Sequence, residues 1–279
     1  MDLLSRSNIK ELLLRHNVKP NKIMGQNFLI SRKIFQKIIE AAGLKGGDIV
    51  LEIGPGMGVL TKELAARAKK VIAVEKDKKM VEILKETLAY YKNVEIIGED
   101  ILKITDFKEE ITDYKIVANI PYYLTSPLIR KFLENPPGDK HPKEMILMVQ
   151  KEVAERICAK PPKMSLLAVS VQFYAEPKII FYVPGESFFP KPKVDSAIIG
   201  ILPLKNKRDI DSGLFFKIAK AGFSQKRKQL SNNLSRGLKI TKEKANLWLL
   251  KNDISPGRRA ETLSVYEWIS LAKSYEPNI

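Results

Sequence analysis

Between residues 49 and 149 the chain repeats one pattern. A short run rich in Val, Ile and Leu gives way to a turn, and then apolar residues recur at every third or fourth position. The runs at 49–53, 71–74, 94–97, 115–118 and 145–149 predict strands, because short, nearly continuous apolar stretches suit strands buried on both faces. The segments 59–68, 78–89 and 126–133 carry the period of a helix with one apolar face. Strands alternating with helices predict βαβ units and a largely parallel α/β sheet.

The flanks have a different texture. Residues 5–16 predict a short helix and 17–29 a polar, irregular segment. Ser31 is placed to cap a helix reaching Ala42, which Gly43 stops. Pro136-Pro137-Gly138 breaks the chain before the strand at 145–149, and a helix follows that strand to about Cys158. Beyond a helix at 165–174, the runs 178–183 and 197–202 predict two strands joined by a Pro-rich loop. With no helix between them, they are expected as an antiparallel pair at the sheet edge. Lys205-Asn206-Lys207-Arg208 reads as a linker, and the remainder as helical and rich in Lys and Arg. The expected division is therefore a sheet domain with an N-terminal extension at 1–204 and a small all-α domain at 205–279.

Composition narrows the function. Of 279 residues, 44% are hydrophobic and 29% charged, the balance of a globular protein. No apolar run approaches the roughly 18 residues that span a bilayer. The opening Met1-Asp2-Leu3-Leu4-Ser5-Arg6 lacks the basic flank and apolar stretch of a secretory signal. One cysteine, Cys158, and two histidines, His16 and His141, leave no basis for a disulfide framework or a Cys/His metal centre. A cytoplasmic protein without a metal is expected. The net charge of +16, from 48 Lys and Arg against 32 Asp and Glu, points to a polyanionic partner. Charge alone does not choose between nucleic acid and an anionic membrane surface.

The candidate chemistry begins at Glu52-Ile53-Gly54-Pro55-Gly56-Met57-Gly58, which follows a strand and opens a helix. Glycines there permit φ > 0 and close approach of a ligand to the backbone. The G-x-G-x-G spacing departs from the G-x-G-x-x-G of dinucleotide binders, and no P-loop sequence occurs. Glu75 closes the next strand, about 20 residues on, where a carboxylate accepts from ribose hydroxyls. Asp100 closes the third and is suited to an adenine amino group. Gly54, Gly56, Glu75 and Asp100 together predict an adenosine-containing ligand on one rim of the sheet.

Asn119-Ile120-Pro121-Tyr122-Tyr123 follows the fourth strand directly. Pro121 ends that strand and fixes the local backbone. Asn119 offers a side-chain carbonyl, a backbone carbonyl within Ile120–Pro121 offers a second acceptor, and Tyr122 offers a ring on which a base can stack. An exocyclic aromatic amine is a poor nucleophile because its lone pair is delocalised. Two carbonyls holding its N–H bonds localise that pair and stabilise the charge that develops on attack at a methyl sulfonium. Positioning supplies much of the rest.

Gly25-Gln26-Asn27-Phe28-Leu29, Glu52 to Gly58, Glu75, Asp100 and Asn119 to Tyr123 resemble the motif series of the KsgA-type rRNA adenine dimethyltransferases. Phe188-Phe189-Pro190-Lys191-Pro192-Lys193-Val194-Asp195-Ser196 resembles that family's F-x-P-x-P-K-V-[DE]-S signature. The resemblance runs from about Val18 to Leu263. It implies a Rossmann-like class I methyltransferase sheet with a small helical C-terminal domain. It also implies S-adenosyl-L-methionine as cofactor, held by Gln26, Asn27, Leu29, Gly54, Gly56, Glu75, Asp100 and Asn119. Tyr122 and Phe188 are the implied aromatic pair around a flipped adenine, Phe188 being preferred to Phe189 because it takes the signature's first position. Asn119 and Pro121 complete the implied catalytic set. The implied product is dimethyladenosine at two adjacent adenosines near the 3′ end of small-subunit rRNA, within an immature small ribosomal subunit.

The Erm enzymes, which methylate large-subunit rRNA, share most of these motifs. Phe223 to Leu234 resembles the KsgA pattern F-x-Q-[RK]-R-K-x-L-x-N-N-L, and Arg258 to Leu263 its R-[AP]-E-x-L ending, which favours the small-subunit reading. A non-catalytic assembly factor of the same fold is the other alternative. Lys226, Arg227 and Lys228, expected in a helix, form with Arg258 and Arg259 a cluster suited to RNA phosphates. A monomer with no membrane partner is expected.

Overall fold

The computed structural model describes residues 2–18, 27–107, 111, 113–205 and 208–276. Its elements are α1 (Arg6–Arg15), β1 (Phe28–Leu29), α2 (Arg32–Ala42), β2 (Ile49–Ile53), α3 (Val59–Ala65), β3 (Lys70–Val74), α4 (Lys78–Thr87), β4 (Val94–Ile97) and β5 (Tyr114–Asn119). There follow α5 (Thr125–Glu134), β6 (Glu144–Gln150), α6 (Lys151–Ile157), α7 (Leu166–Tyr174), β7 (Ala175–Val183), β8 (Phe188–Phe189) and β9 (Ser196–Pro203). The chain continues as α8 (Ser212–Gly222), α9 (Leu230–Leu238), α10 (Lys242–Lys251) and α11 (Val265–Lys273).

The predicted strands assemble into a seven-stranded sheet in the order β4-β3-β2-β5-β6-β9-β7. Strands β4 to β6 are mutually parallel, and β9 runs antiparallel to β6. The antiparallel edge pair is present, but chain order and spatial order cross there: β9 inserts beside β6 and leaves the earlier β7 outermost. Met145 to Val149 of β6 are all at most 1% exposed, which explains an unbroken apolar run in place of alternation. β2 sits where the strand order reverses. β3 and β4 extend the sheet on one side of it, β5 and β6 on the other, so the loops leaving β2 and β5 part around a crevice. Open α/β sheets bind ligands at such a switch point, outside the carboxyl ends of the strands.

Two compact units emerge. One runs to Ala154 and adds Pro177–Pro203; the other joins Glu155–Glu176 to the chain from Leu204 onward. This differs from a division at 204/205 by the segment Glu155–Glu176 and by Leu204. The reason lies in α7, whose sequence Leu-Leu-Ala-Val-Ser-Val-Gln-Phe-Tyr is apolar on nearly every side. Phe173 stacks on Phe215 of α8 at 4.1 Å between ring centroids, and Ala168 and Val169 share the core of Leu230, Leu234 and Trp268. In this helical unit α8 and α9 approach so closely that a Cβ on Gly237 would stand 2.5 Å from that of Ala221.

Local capping explains several boundaries. Gly43 ends α2 in the left-handed conformation at φ +50°, its N–H reaching the carbonyls of Ile39 and Glu40. Ser31 stands at the N-cap of α2, but its side chain makes no capping bond. Ser264 and Glu267 form a reciprocal capping box at the start of α11. Among the described residues, no helix is long and apolar enough to cross a membrane.

Candidate active site

The loop leaving β2 places Gly54, Gly56 and Gly58 at φ +67°, +59° and +82°, a region that side chains with a Cβ disfavour. Gly54 N–H donates to Val74 O at 3.0 Å, which ties the loop to the end of β3. Space adds to torsion at Gly54, whereas Gly56 has ordinary room. A Cβ on Gly54 would come within 3.3 Å of Pro121 Cδ, and one on Gly56 within 3.5 Å of Phe28 Cε1. The glycine loop is thus flanked by the turn after β5 on one side and by β1 on the other.

One crevice collects Asn27, Leu29, Gly54, Gly56, Glu75, Asp100, Asn119, Pro121, Tyr122 and Phe188. All are sequence-predicted positions, and all belong to the sheet unit. Gln26 lies outside the described residues. Phe188 is buried and lines the crevice, whereas Phe189 joins the cluster of Ile9, Leu12 and Met80 beneath α1. Nothing in the apolar pattern foretold how Phe188 arrives. Phe28–Leu29, expected to be irregular, pairs antiparallel with Phe188–Phe189, with Leu29 opposite Phe188.

The carboxylates at the rim differ in environment. Burial pushes the Glu75 carboxyl up, partly offset by backbone N–H groups of Asp77 and Gly56 that point at it; the Asp77 N–H lies 2.9 Å from Glu75 Oε1. Asp100 is held below its ordinary value, first by Lys76, whose Nζ donates to Oδ2 at 2.8 Å, and also by the Leu102 N–H at 3.0 Å from Oδ1. Lys76 was not among the sequence-predicted residues, although its place directly after Glu75 put it on the same rim.

Nor was Glu52 singled out from its motif. Glu52 lines the crevice yet is 1% exposed, and its Oε2 has no hydrogen-bond partner. Burial, with a smaller contribution from the nearby Glu75 charge, pushes its carboxyl up to about 8. The available signal was its position near the end of β2, just before the glycines.

Tyr122 is held at both ends. Its carbonyl accepts from Thr125 Oγ1 at 3.1 Å, and its phenolic oxygen is 2.9 Å from Ser196 Oγ. Burial raises its phenol pKa, so the ring is neutral at physiological pH.

The basic cluster departs from expectation in two respects. Lys226, Arg227 and Lys228 occupy the exposed loop between α8 and α9, not a helix. That loop is pinned by the buried Asn233, whose Nδ2 donates to Gly222 O at 2.7 Å and Gln225 O at 3.0 Å. Arg258 is engaged internally. Its guanidinium pairs with Glu267 and bonds both the Thr262 carbonyl and, at 3.1 Å, the Thr262 hydroxyl. Arg259 is exposed.

Sheet order, switch-point crevice and the asparagine–proline–tyrosine turn facing the glycines define an α/β methyltransferase. Residues 17–276 match the family described as ribosomal RNA adenine dimethylase, and the chain belongs to that family. A protein of Dehalococcoides mccartyi named ribosomal RNA small subunit methyltransferase A is 46% identical, over 96% of this chain and 93% of its own length. One of the same name from Geobacillus thermodenitrificans is 41% identical over 99% and 98%. Among solved structures, a dimethyladenosine transferase from Plasmodium falciparum matches with a TM-score of 0.72 at 30% identity, covering 88% of this chain and 95% of that one. The 23S rRNA methyltransferase ErmE matches with a TM-score of 0.71 at 27% identity, covering 88% and 98%.

Proposed function

We propose that this chain transfers methyl groups from S-adenosyl-L-methionine to the exocyclic amino groups of two adjacent adenosines near the 3′ end of small-subunit rRNA, in an immature small subunit. The observation that carries this reading is the turn Asn119 to Tyr122 standing against Gly54 in one crevice. The donor set fits the cofactor. Gly54 and Gly56 leave bare backbone, Glu75 and Asp100 stand at successive strand ends, and Glu52 Oε2 is a buried polar atom lacking a partner. When bound, the cofactor supplies an electrophilic methyl group on a sulfonium.

The chain's own residues do the rest. Glu75 would accept from ribose hydroxyls and Asp100 from an adenine amino group, with Asn27 and Leu29 lining the same crevice. The Asn119 side-chain carbonyl and a backbone carbonyl of the turn accept from the target amine, localise its lone pair and offset the positive charge of attack. Tyr122 and Phe188 hold the extruded base, whose amino group is out of reach within a stack. Lys226, Arg227, Lys228 and Arg259 provide phosphate affinity, and RNA shape selects which adenosines arrive. Arg258 is better assigned to holding the start of α11.

The small-subunit target rests on relatives 41–46% identical over nearly their full length, since the ErmE likeness shows that the fold alone does not choose. The test is transfer of labelled methyl groups to purified small and large subunits from cells lacking the modification. Dimethyladenosine in small-subunit RNA is expected. Label confined to large subunits would install the Erm reading, and label in neither would favour a non-catalytic assembly factor.

A further inference from the structure

Ser196 closes the sequence Phe188 to Ser196, yet nothing about the proposed chemistry requires a hydroxyl there. Its side chain is completely buried, an unusual place for a serine, and its backbone is set by pairing with Gln150 on β6. The Oγ lies 2.9 Å from the Tyr122 hydroxyl. Among the described residues, no other side chain hydrogen-bonds that phenol.

We propose that Ser196 is a positioning residue that fixes the orientation of the Tyr122 ring and thereby the width of the slot it forms with Phe188. The proposal rests on the reading of Tyr122 as the ring that stacks on the target base.

The physical case is one of anchoring. A tyrosine ring can swing between staggered χ1 wells, and a bond to the phenolic oxygen, which lies on the χ2 axis, holds the direction of the ring axis against that swing. Here one anchor is the Thr125 hydroxyl on the Tyr122 carbonyl, which fixes the backbone but not the ring. Ser196 supplies the second, from a strand that cannot shift without breaking its ladder with β6. The next residue back strengthens the frame: Asp195 Oδ1 accepts from the Gly185 N–H at 3.0 Å, and Asp195 O from the Lys151 N–H at 3.0 Å. One short segment therefore carries Phe188 at its start and the anchor of Tyr122 at its end. A phenylalanine in place of Tyr122 would stack equally well in area but would lack the anchor.

The experiment compares Ser196→Ala, Tyr122→Phe and the double variant, each confirmed folded by its melting curve, with Tyr122→Ala as reference. Single-turnover methylation of small subunits and calorimetric affinity for S-adenosylmethionine are measured for each. The anchoring account expects each single variant to lose about three- to tenfold in the methylation rate, the span of one net hydrogen bond. It expects the double variant to lose no more than either single one, with cofactor affinity unchanged throughout. Additive losses, or full activity in Ser196→Ala and Tyr122→Phe while Tyr122→Ala is impaired, would overturn the anchor and leave the stacking role standing. Full activity in Tyr122→Ala would overturn the stacking role itself. If Ser196→Ala fails to fold, Tyr122→Phe removes the same bond from the other end, and its full activity would overturn the proposal alone.

Discussion

Gly54 and Pro121 stand so close that a single methyl group on the glycine would fall 3.3 Å from the proline ring. Their elements, the turns after β2 and β5, are adjacent because the two strands pair side by side in parallel. Gly54→Ala is therefore opposed twice, by the φ of +67° and by the proline. The substitution should cost about 1 kcal/mol or more in stability. It should also weaken binding of S-adenosylmethionine, because either the loop or the turn must retreat. Calorimetric titration checks this, and wild-type affinity would mean that the close approach has no bearing on the cofactor.

Glu52 gives a pH signature. Its carboxyl ionises near 8 in the folded protein, against an ordinary value of 4.5 in the unfolded chain. Below about 4.5 both states hold the proton. As the pH rises from there to about 8 only the unfolded chain releases it, so stability is progressively lost. Glu52→Gln keeps the shape and removes the titration. Its melting temperature should decline less across that window than the parent's, by several degrees. Parallel curves for the two proteins would contradict this.

Asp100 titrates in the opposite sense. Lys76 holds its carboxyl below the ordinary 3.8, so the ionised form persists into acid. Lys76→Ala should move the acid limb of cofactor affinity to higher pH while leaving affinity near neutrality largely intact. Titrations at a series of acid pH values would show the shift; an unmoved limb would detach Asp100 from the cofactor.

The two groups of basic residues should behave differently. Replacing Lys226, Arg227 and Lys228 by alanine should leave the melting temperature alone and lower RNA affinity. The salt dependence should shallow by about 0.7–0.9 in log–log slope for each phosphate that is no longer neutralised. Arg258→Ala should instead destabilise the helical unit, by about 1 kcal/mol after allowing for the partial exposure of its pair with Glu267. Filter binding across salt concentrations, paired with thermal melts, separates the two.

Much of this was legible in the chain itself. The strands β2 to β6 and the helices between them follow from apolar period alone, and the glycines, Glu75, Asp100 and the Asn119 turn fall at strand ends where the topology brings them together. The pairing of Phe28–Leu29 with Phe188–Phe189 was not legible, because a ladder two residues long carries no periodicity and joins distant segments. Lys226 to Lys228 misled for a related reason. Their intrinsic preference is helical, but a buried side chain farther along, Asn233, holds them in a loop. The burial of Glu52 and the anchoring of Tyr122 by Ser196 depend on neighbours that only the folded chain supplies.

In the proposed reaction Asn119 acts on the reacting amine as well as standing beside the cofactor. The most direct measurement is single-turnover methylation of small subunits by Asn119→Ala, set beside its calorimetric affinity for S-adenosylmethionine. We predict a rate lower by about 100-fold or more, as for loss of one preorganised polar group aimed at developing charge, with most of the cofactor affinity retained. Methylation at the parent rate, or a loss wholly accounted for by weaker cofactor binding, would contradict the account.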